Sequence, residues 1–400
     1  MTSVELKIVG AIDKYRYHLF VAVAFVVGLV MRCAGGDFVS LDMRDCLLPW
    51  FDQIKQGGGL AALGTQVGDY GLLYQTLISL MTYVEIPAIY QYKLLSALFD
   101  VALALLGAAL YRDMKADGLS SALTQQIKRR SWMVAGVIWL LPTVILDSSY
   151  WGQCDSMYTF FALSAMCLLR RERIIAAFVL LGIAFGCKLQ TVFFLPFIGV
   201  WYLVSKRFSA LNLLITVAVM WLTGIVAFAY GRSLLDPVMI YFRQSTHYHL
   251  MYLGFPSFWM LFGDDYDRFR WLSILITLSA LVVGAYVCLC NRSFLKERTN
   301  YYPLLAWFVW TMVLFLPSMH DRYAYPLDII LVMISCLDRR YIKYAIVAVF
   351  ASVYFYGCFL FIQRDEEPLW LAAVYVVAYV HYSFSLYKRM TEFGQLPSNA

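Results

Sequence analysis

Charged residues are scarce in this sequence. Asp, Glu, Lys and Arg make up 14% of its 400 residues, whereas a soluble globular domain carries roughly 25%. Hydrophobic residues make up 62%, and the interior of a soluble domain cannot bury that much apolar surface. The composition therefore argues against a soluble protein, and we expect the bilayer to serve as part of the solvent of this chain.

The sequence also lacks paired cysteines and large polar insertions. The nine cysteines show no paired spacing, which argues against a zinc or disulfide framework and favours small core residues. No large polar insertion interrupts the apolar runs over residues 17–386, so we expect residues 1–400 to form one membrane domain. The first run lacks a small-x-small cleavage site, and we interpret it as a spanning helix and not as a signal peptide.

Basic residues are grouped at regular intervals between the apolar runs. Because cytoplasmic loops are rich in Lys and Arg, an outward loop must fall between each successive pair of clusters. The pattern predicts an all-α polytopic membrane protein with about twelve spanning helices, in the range of about 10–13, and with both termini in the cytoplasm. The basic clusters lie at residues 7–16, 112–130, 170–173, 206–207, 292–298, 339–343 and 388–389. The outward loops then fall at 36–87, 147–155, around Lys188, and at 231–270, 318–324 and 363–368.

The longest outward loop is predicted at residues 36–87. Its amphipathic stretch at 72–84 is too short to span the bilayer, which indicates a helix lying in the membrane interface. The runs 132–146, 156–169 and 174–187 are also shorter than the ~20 residues of a straight spanning helix. Short or broken helices of this kind are typical of segments that line a watery or protein-walled cavity.

Ionisable side chains concentrate near the predicted outer helix ends, where each is costly without a partner or water. Asp42 and Asp45 are three residues apart, so in a helix they would share a face, with Arg44 between them. A carboxylate kept ionised by the arginine suits a general base that takes a proton from a sugar hydroxyl. The alternative is a solvated loop start that caps a helix.

A second polar group lies at residues 150–156. Trp151 and its neighbouring tyrosine could stack on a sugar ring, while Gln153 and Asp155 could grip its hydroxyls. Asp155 could equally be the N-cap of the helix that follows.

Cations form a third group. Lys188 lies between two apolar runs, and His320 and Arg322 share a later polar segment. These side chains suit a lipid-linked phosphate, since Arg gives directional paired hydrogen bonds. The alternatives are a lysine that snorkels to lipid headgroups and, at residues 319–326, a short polar turn with interfacial tyrosines.

Taken together, these segments resemble the GT-C superfamily of polytopic glycosyltransferases, and within it bacterial relatives of the second GPI mannosyltransferase. The resembling pieces occur in the family's order and cover roughly residues 18–326. They are Ser40-x-Asp42 before Leu47-Leu48-Pro49-Trp50-Phe51, then Gly68-Asp69-Tyr70, Trp151-Gly152-Gln153-x-Asp155, Lys188-x-Gln190 with Leu195-Pro196, and His320-Asp321-Arg322-Tyr323.

The resemblance implies an inverting transfer of a mannose-like or glucose-like hexose from a polyprenyl-phosphate sugar to a glycan or lipid-linked acceptor, on the outer face. Asp42 matches the family's first-loop carboxylate and would be the base, with Asp45 as the fallback. The donor phosphate would be bound by Lys188, His320 and Arg322. Contacts to the sugar and the acceptor would come from Trp151, Gln153, Asp155, Gln190, Asp69 and Tyr323.

The leaving phosphate needs no acid to assist it, so no metal or other cofactor is expected to be obligatory. The expected partners are the donor, the acceptor and membrane lipids, with no nucleic acid, in a bacterial plasma membrane more than in the endoplasmic reticulum. Two other functions are compatible with the sequence. A lipid-linked sugar flippase or transporter would favour mid-span ionisable residues such as Asp100 and Asp328, and a polysaccharide polymerase would favour a large outer loop late in the chain.

Overall fold

The computed structural model describes residues 1–115, 121–245, 248–363 and 368–395. Within these ranges the chain forms eighteen α-helices and one two-residue parallel bridge, which confirms the all-α class. The first nine helices are α1 (Ser3–Ala34), α2 (Leu48–Gln56), α3 (Leu72–Met81), α4 (Ala88–Lys115), α5 (Ser121–Trp139), α6 (Pro142–Ile145), α7 (Asp155–Arg170), α8 (Ile174–Cys187) and α9 (Leu195–Ser205). The others are α10 (Leu213–Leu222), α11 (Ile225–Ala229), α12 (Asp236–Ser245), α13 (Tyr266–Cys290), α14 (Arg292–Lys296), α15 (Arg298–Phe315), α16 (Tyr325–Leu337), α17 (Ile342–Gly357) and α18 (Leu369–Gln395), and the bridge joins β1 (Tyr252–Leu253) to β2 (Met319–His320).

Several of these helices are long and apolar enough to cross a membrane. Within the described ranges there are five such segments, namely α1, α4, α13, Arg339–Ile362 and Leu369–Phe393. A sixth candidate consists of two helical pieces, Leu123–Trp139 and Pro142–Trp151, that meet at a bend of 52°. The helices confirm the membrane character of the chain, but they do not confirm twelve spans. The outward loop predicted at 363–368 lies largely outside the described residues.

The bend between α5 and α6 has a local cause. Leu141 precedes a proline and is extended, with φ −62° and ψ 125°, because the proline ring disfavours the helical region for the residue before it. Pro142 then begins α6, where its missing N–H costs nothing. The break redirects the chain into residues 146–151, which carry the second predicted polar group.

Buried and lipid-exposed helices are clearly separated. In α16 every side chain from Tyr325 to Ile334 is buried, as expected of a helix that is hydrophobic on all sides. By contrast, α1 buries only Ala24, Gly28 and Arg32, and its exposed valines and leucines form a surface suited to lipid. The core of the bundle therefore lies around α15 and α16.

The predicted site residues gather at one end of the bundle, here called the site end. Lys93 near the start of α4 contacts the residues that follow α1. Asp155 at the start of α7 contacts Lys188, which follows α8. Arg322, just before α16, also contacts Asp155. Two helices thus finish at the site end and three begin there.

The opposite end carries several of the basic clusters and is here called the basic end. Asp113, near the end of α4, pairs with Arg170 and Arg171 at the end of α7. Glu172 pairs with Arg207 beyond α9. The alternation of basic and polar segments along the sequence is thus a separation between two ends of the folded bundle.

The first long loop folds into short helices. α3 begins at the predicted position but ends at Met81, and it packs against α2 and α8 with Leu72, Tyr74 and Ile78 buried. The predicted helix is therefore present, although protein covers much of it. Its location in a membrane interface stays a prediction, in keeping with the exposed apolar side chains of Tyr83 and Val84 that follow.

Lys93 ties this loop to the bundle. Its Nζ donates to the carbonyl oxygens of Gly35 (2.7 Å), Gly36 (3.0 Å) and Phe38 (2.5 Å). These carbonyls follow the C-terminus of α1, where a cation is favourable for the helix dipole. A buried lysine thus satisfies three backbone acceptors at the point where the chain turns toward Asp42.

Replacing Lys93 by Met should destabilise the protein, because three backbone carbonyls lose a buried charged donor. We expect a loss of about 1–3 kcal/mol, seen as a lower Tm of the purified protein in detergent. Lys55→Met, at an exposed position of α2, is the matched control and should leave Tm nearly unchanged. Equal Tm values for the two variants would contradict a structural role of Lys93.

Candidate functional site

A cavity of about 350 Å³ lies at the site end. Its wall combines residues of the first loop, Gln153 just before α7, the segment that follows α8, and the stretch just before α16. The structure brings eight of the eleven predicted site residues to this wall: Asp42, Asp69, Gln153, Lys188, Gln190, His320, Arg322 and Tyr323. Asp42 and Arg322, which are 280 positions apart along the chain, therefore face one space.

Part of the cavity wall is apolar. Leu189, Val192 and Phe193 contribute to this part from the segment after Lys188, and Leu316 and Pro317 contribute from just after α15. The same wall also carries carboxylates, amides and cations. The space can accordingly hold a ligand that has both a hydrocarbon part and a polar part.

Asp42 is held by three donors on a single oxygen. Its Oδ2 accepts hydrogen bonds from Trp151 Nε1 (2.8 Å), Gln153 Nε2 (2.8 Å) and Arg322 Nη2 (3.2 Å). Within the described ranges no hydrogen-bond donor reaches Oδ1, and the side chain keeps 26% of its surface exposed. One oxygen therefore fixes the carboxylate in place, and the other remains for a ligand.

Wide helical turns produce this arrangement. Residues Met43–Leu47, Leu146–Trp151 and Cys358–Ile362 are π-helical, and such turns are rare and often found at functional sites. The first follows Asp42, the second ends at Trp151, and the third carries Phe359, whose ring stacks on Trp151 at 4.3 Å. Three local departures from α-helix thus converge on one carboxylate and its tryptophan.

Asp45 does not join Asp42 in the cavity, so its predicted role as the fallback base is not supported by its position. A π-helical turn holds more residues than an α-helical turn, so a spacing of three no longer aligns two side chains. Asp45 is exposed and pairs with Arg44 at 2.7 Å. The hydrogen bond from Arg44 lowers the pKa of the Asp45 carboxyl.

The position of Trp151 does not support the predicted stacking on a sugar, because the indole is buried and does not line the cavity. It is 1% exposed, with Phe359 against one face at 4.3 Å and the guanidinium of Arg322 over its ring at 4.7 Å. The indole therefore positions Asp42 and Arg322. Gly152, with φ +80°, turns the chain directly after it, and a side chain there would collide with Met43.

Asp155 also lies behind the cavity wall and not on it. It is fully buried, and its Oδ1 accepts from Lys188 Nζ at 2.6 Å while its Oδ2 is 3.5 Å from Arg322 Nη1. Its side chain makes no cap bond to α7, which removes the N-cap interpretation. Direct contact of Asp155 with a sugar is likewise excluded in this arrangement, and its role is to hold two cations that do face the cavity.

Lys188 and Arg322 are therefore internal cations. Lys188 is 8% exposed and bound to Asp155, so it does not snorkel to the lipid surface. Burial alone would lower the pKa of the Arg322 guanidinium, but the carboxylates of Asp42 and Asp155 outweigh it and raise that pKa above its ordinary value. Both side chains are presented to the cavity by carboxylates behind and beside them.

His320 is placed by the β1–β2 bridge, in which Leu253 pairs with it. Its Nδ1 is 3.8 Å from Asp321 Oδ1, and its ring contacts those of Tyr248 and Tyr323 at 4.9 and 5.3 Å. Burial raises the pKa of the Asp321 carboxyl. The segment is thus part of the site wall and not a solvated turn.

Amide and phenol groups complete the polar wall. Tyr70 donates from its hydroxyl to Gln153 Oε1, which fixes the amide whose other end holds Asp42. Gln190 lines the cavity, and within the described part of the chain its Oε1 has no hydrogen-bond partner. An unoccupied acceptor in this position suits a ligand hydroxyl.

Sequence reasoning did not assign roles to several wall residues. Tyr70 belongs to the Gly68-Asp69-Tyr70 piece and could have been found from it, whereas Gln244 and Tyr248 carry no signal in the sequence that separates them from other loop residues. They reach the cavity only because the chain before β1 folds over it. Among the described residues no three His, Cys, Asp or Glu side chains form a group that could hold a metal ion, and the expectation that no metal is obligatory stays a prediction.

The buried position of Trp151 can be tested without any ligand. Trp151→Ala should cost about 3–5 kcal/mol, the usual cost of emptying a large aromatic site. Trp151→Phe should cost about 1–2 kcal/mol, because the ring stays but the bond to Asp42 is lost. Thermal unfolding in detergent measures both, and Trp271→Ala, at a position 67% exposed on α13, is the control. A stable Trp151→Ala protein would favour a ligand-stacking role.

Comparison of the chain with protein-family models and with curated proteins finds no match. We therefore infer the function from the residues and from the geometry of the site.

Proposed function

We propose that the protein is a membrane glycosyltransferase that moves a hexose from a polyprenyl-phosphate sugar to a hydroxyl of a glycan or lipid-linked acceptor, with inversion at the anomeric carbon. The observation that carries the proposal is the arrangement of Asp42. One cavity presents a fixed carboxylate with an available oxygen, two buried cations, Lys188 and Arg322, and an apolar part of its wall. This is the set of groups that an acceptor hydroxyl, a phosphate and a lipid chain require.

Asp42 is the proposed base. Its Oδ1 accepts the proton of the acceptor hydroxyl while the hydroxyl oxygen attacks the anomeric carbon. The bond between that carbon and the phosphate oxygen breaks, and its electron pair leaves with the polyprenyl phosphate. The donors on Oδ2 from Trp151, Gln153 and Arg322 hold the carboxylate at one orientation throughout, and such preorganisation contributes to catalysis.

Lys188 and Arg322 are the proposed phosphate ligands. Both line the cavity, and both are more than nine-tenths buried, so their charges act through a poorly screened medium. They would stabilise the negative charge that develops on the leaving phosphate. His320, beside them on the same wall, supplies a further donor.

The other wall residues would bind either the sugar or the lipid part of the donor. Gln153, Gln190 and Asp69 offer hydrogen-bonding groups of the kind that bind sugar hydroxyls, and Tyr323 lies next to Gln190 on the same wall. The apolar part of the wall from Val192 and its neighbours suits the first isoprene units. Trp151 and Asp155 support this wall from behind.

The orientation in the membrane is also proposed. Because Lys and Arg accumulate in cytoplasmic loops, the basic end would face the cytoplasm and the site end the outer side of a bacterial plasma membrane. Twelve spans with both termini inside satisfy this arrangement. The resemblance to GT-C glycosyltransferases adds support, since it implies the same face and the same donor class.

A flippase or transporter is the second candidate, and buried charges within the helices favour it. Arg32 pairs with Asp100 at 2.8 Å between α1 and α4, and Asp328 is fully buried in α16. Translocation of a lipid-linked sugar in liposomes, with no sugar transferred to any acceptor, would favour this function over glycosyl transfer.

Asp42→Asn should leave folding and donor binding largely intact but lower transfer by about 10²–10⁴-fold, the usual contribution of a general base. The measurement is turnover of a polyprenyl-phosphate hexose by purified protein, after a screen of hexoses and acceptors has identified an active pair. Asp45→Asn is the matched control, since that carboxylate is exposed and outside the cavity, and it should retain activity. Normal turnover in Asp42→Asn removes Asp42 from the mechanism.

Arg322→Ala should weaken binding of the donor by about 10- to 100-fold, because a hydrogen bond to a charged group contributes about 1.5–3 kcal/mol. Arg322→Lys should recover part of the affinity by restoring the charge without the paired geometry. Arg44→Ala, at an exposed site that pairs only with Asp45 among the described contacts, is the control. Unchanged donor affinity in Arg322→Ala contradicts a phosphate-binding role.

A further inference from the structure

The site holds more carboxyl groups than cations. Its fixed cations are Lys188 and Arg322, with His320 beside them. The carboxyl groups on the wall or behind it are Asp42, Asp69, Asp147, Asp155 and Asp321. An anionic phosphate therefore enters a site whose positive charge is already neutralised by carboxylates.

Asp155 is the carboxylate with which a phosphate must compete. It lies behind the wall, fully buried, and contacts both Lys188 (2.6 Å) and Arg322 (3.5 Å). A phosphate in the cavity draws the same two cations toward itself from the other side. As it does so, the charge of Asp155 loses compensation in a medium where an unpaired ion is costly.

Asp147 lies next to this carboxylate and has no use in the proposed mechanism. It is fully buried, and among the residues that the structure describes neither of its oxygens has a hydrogen-bond partner. Its strongest charged neighbour is Asp155, whose Oδ2 also lacks a hydrogen bond in the described part of the chain. An ionised carboxylate in this position would be far more costly than a neutral one, so Asp147 holds a proton.

The groups around the two carboxyls cannot replace that proton. Among the described residues Lys188 and Arg322 make no hydrogen bond to Asp147, and both are paired with Asp155. One nearby acid, Asp100 from α4, is itself paired with Arg32. The other titratable side chains around the pair are thiols and phenols: Cys154 just before α7, Tyr158 from α7, Tyr325 from α16, Tyr356 from α17, Tyr74 from α3, and Tyr70 and Tyr323 from the wall. Any change in negative charge at the cations must accordingly be balanced at the pair itself.

We propose that Asp147 and Asp155 form a buried proton-binding site, and that binding of a lipid-linked phosphate is coupled to uptake of one proton by this carboxyl pair. The inference rests on the proposed phosphate-binding function. In the empty protein Asp155 is ionised and paired with the two cations, and Asp147 is neutral. With phosphate bound, the cations turn to the phosphate and the second carboxyl becomes neutral as well. Since the bound state holds the extra proton, affinity for the phosphate must fall as pH rises.

The neighbouring His320–Asp321 pair is a different case. Asp321 Oδ1 accepts the backbone N–H of Arg322 at 2.8 Å and lies 3.8 Å from His320 Nδ1. Asp321 Oδ1 also lies 3.8 Å from Arg322 Nε, but among the described contacts Asp155 is the carboxylate that pairs with both Lys188 and Arg322. We therefore place the proton at Asp147 and Asp155.

The test uses farnesyl methyl phosphate, a diester that keeps a single charge because only a phosphomonoester has a second ionisation, with a pKa of about 6. Calorimetric titration of the full-length protein in detergent, in MOPS and in Tris, reports proton uptake from the difference in apparent enthalpy. We expect uptake of about one proton, with a Kd that weakens by up to about tenfold per pH unit near neutrality. Farnesol, which lacks the phosphate, should show neither effect.

Asp155→Asn distinguishes proton uptake by Asp155 from a role in which this carboxylate only orients Lys188 and Arg322. Without the competing charge, the phosphate diester should bind more tightly than to the wild type at the upper end of the pH range, with little proton uptake. If Asp155 only orients the cations, the same variant should bind more weakly. Asp147→Asn mimics the neutral Asp147 of the empty protein, so Asp155 should still take up a proton in this variant, and loss of the uptake there would contradict the assignment of the proton to Asp155. This variant keeps the test available if Asp155→Asn does not fold.

His320→Gln and Asp321→Asn test the neighbouring pair: whatever the change in affinity, the number of protons taken up per bound diester should stay the same in both. Loss of uptake in either of these variants, together with its persistence in Asp155→Asn, overturns the inference. Binding of the diester that depends on Arg322 but takes up no proton also overturns it, while leaving the proposed phosphate site intact. Binding no stronger than that of farnesol, or unaffected by Arg322→Ala, contradicts the proposed function itself.

Discussion

The site depends on mutual neutralisation of charge in a poorly polarisable interior. Asp155 lies between Lys188 and Arg322, and Arg322 in turn reaches Asp42. Each of these residues lies in or next to a different helical segment, so the ion pairs also fix how the ends of α7, α8 and α16 meet. Removing one partner of such a buried network typically costs about 3–5 kcal/mol. The same ion pairs therefore hold the helix ends together and present the two cations to the cavity.

The irregular helices serve the same network. A continuous α-helix presents polar groups on one stripe at a fixed period, whereas the wide turn at Leu146–Trp151 and the break at Leu141 let the chain turn a tryptophan N–H toward Asp42. The wide turn at Cys358–Ile362 supplies the stacking ring from the far side of the chain. Irregular backbone of this kind is tolerated at membrane depth only where protein or a watery cavity surrounds it. Here protein surrounds the turn at Leu146–Trp151, where Asp147, Ser148, Ser149 and Trp151 are buried, and residues of the short predicted spans 132–146 and 156–169 lie outside the cavity lining.

Composition and the spacing of basic clusters were enough to predict a helical membrane protein and to place its polar segments at one end, because hydropathy and charge act locally along the chain. Lys188 and Arg322 could be chosen as site residues for the same reason, since a cation between apolar runs needs a partner. The identity of that partner could not be predicted. Asp155 faces Lys188 and not a ligand because of a contact across 33 residues. Asp45 turns outward because the wide turn at Met43–Leu47 changes the helix phase after Asp42. The twelve spans remain a prediction for a similar reason: broken helices hide spans from length and composition.

Because carboxylates neutralise the cations of the site, the leaving lipid phosphate would be released more readily. On the proposed function the donor carries one negative charge at its phosphate, and the leaving lipid phosphate carries more, since a monoester ionises twice. A cavity with permanent excess positive charge would bind the leaving group more tightly than the donor and would slow its release. Carboxylates behind Lys188 and Arg322 limit that difference, because they recover the cations as soon as the phosphate departs. Only interactions that strengthen in the transition state accelerate the reaction, and cations shared between Asp155 and a developing phosphate charge have that property.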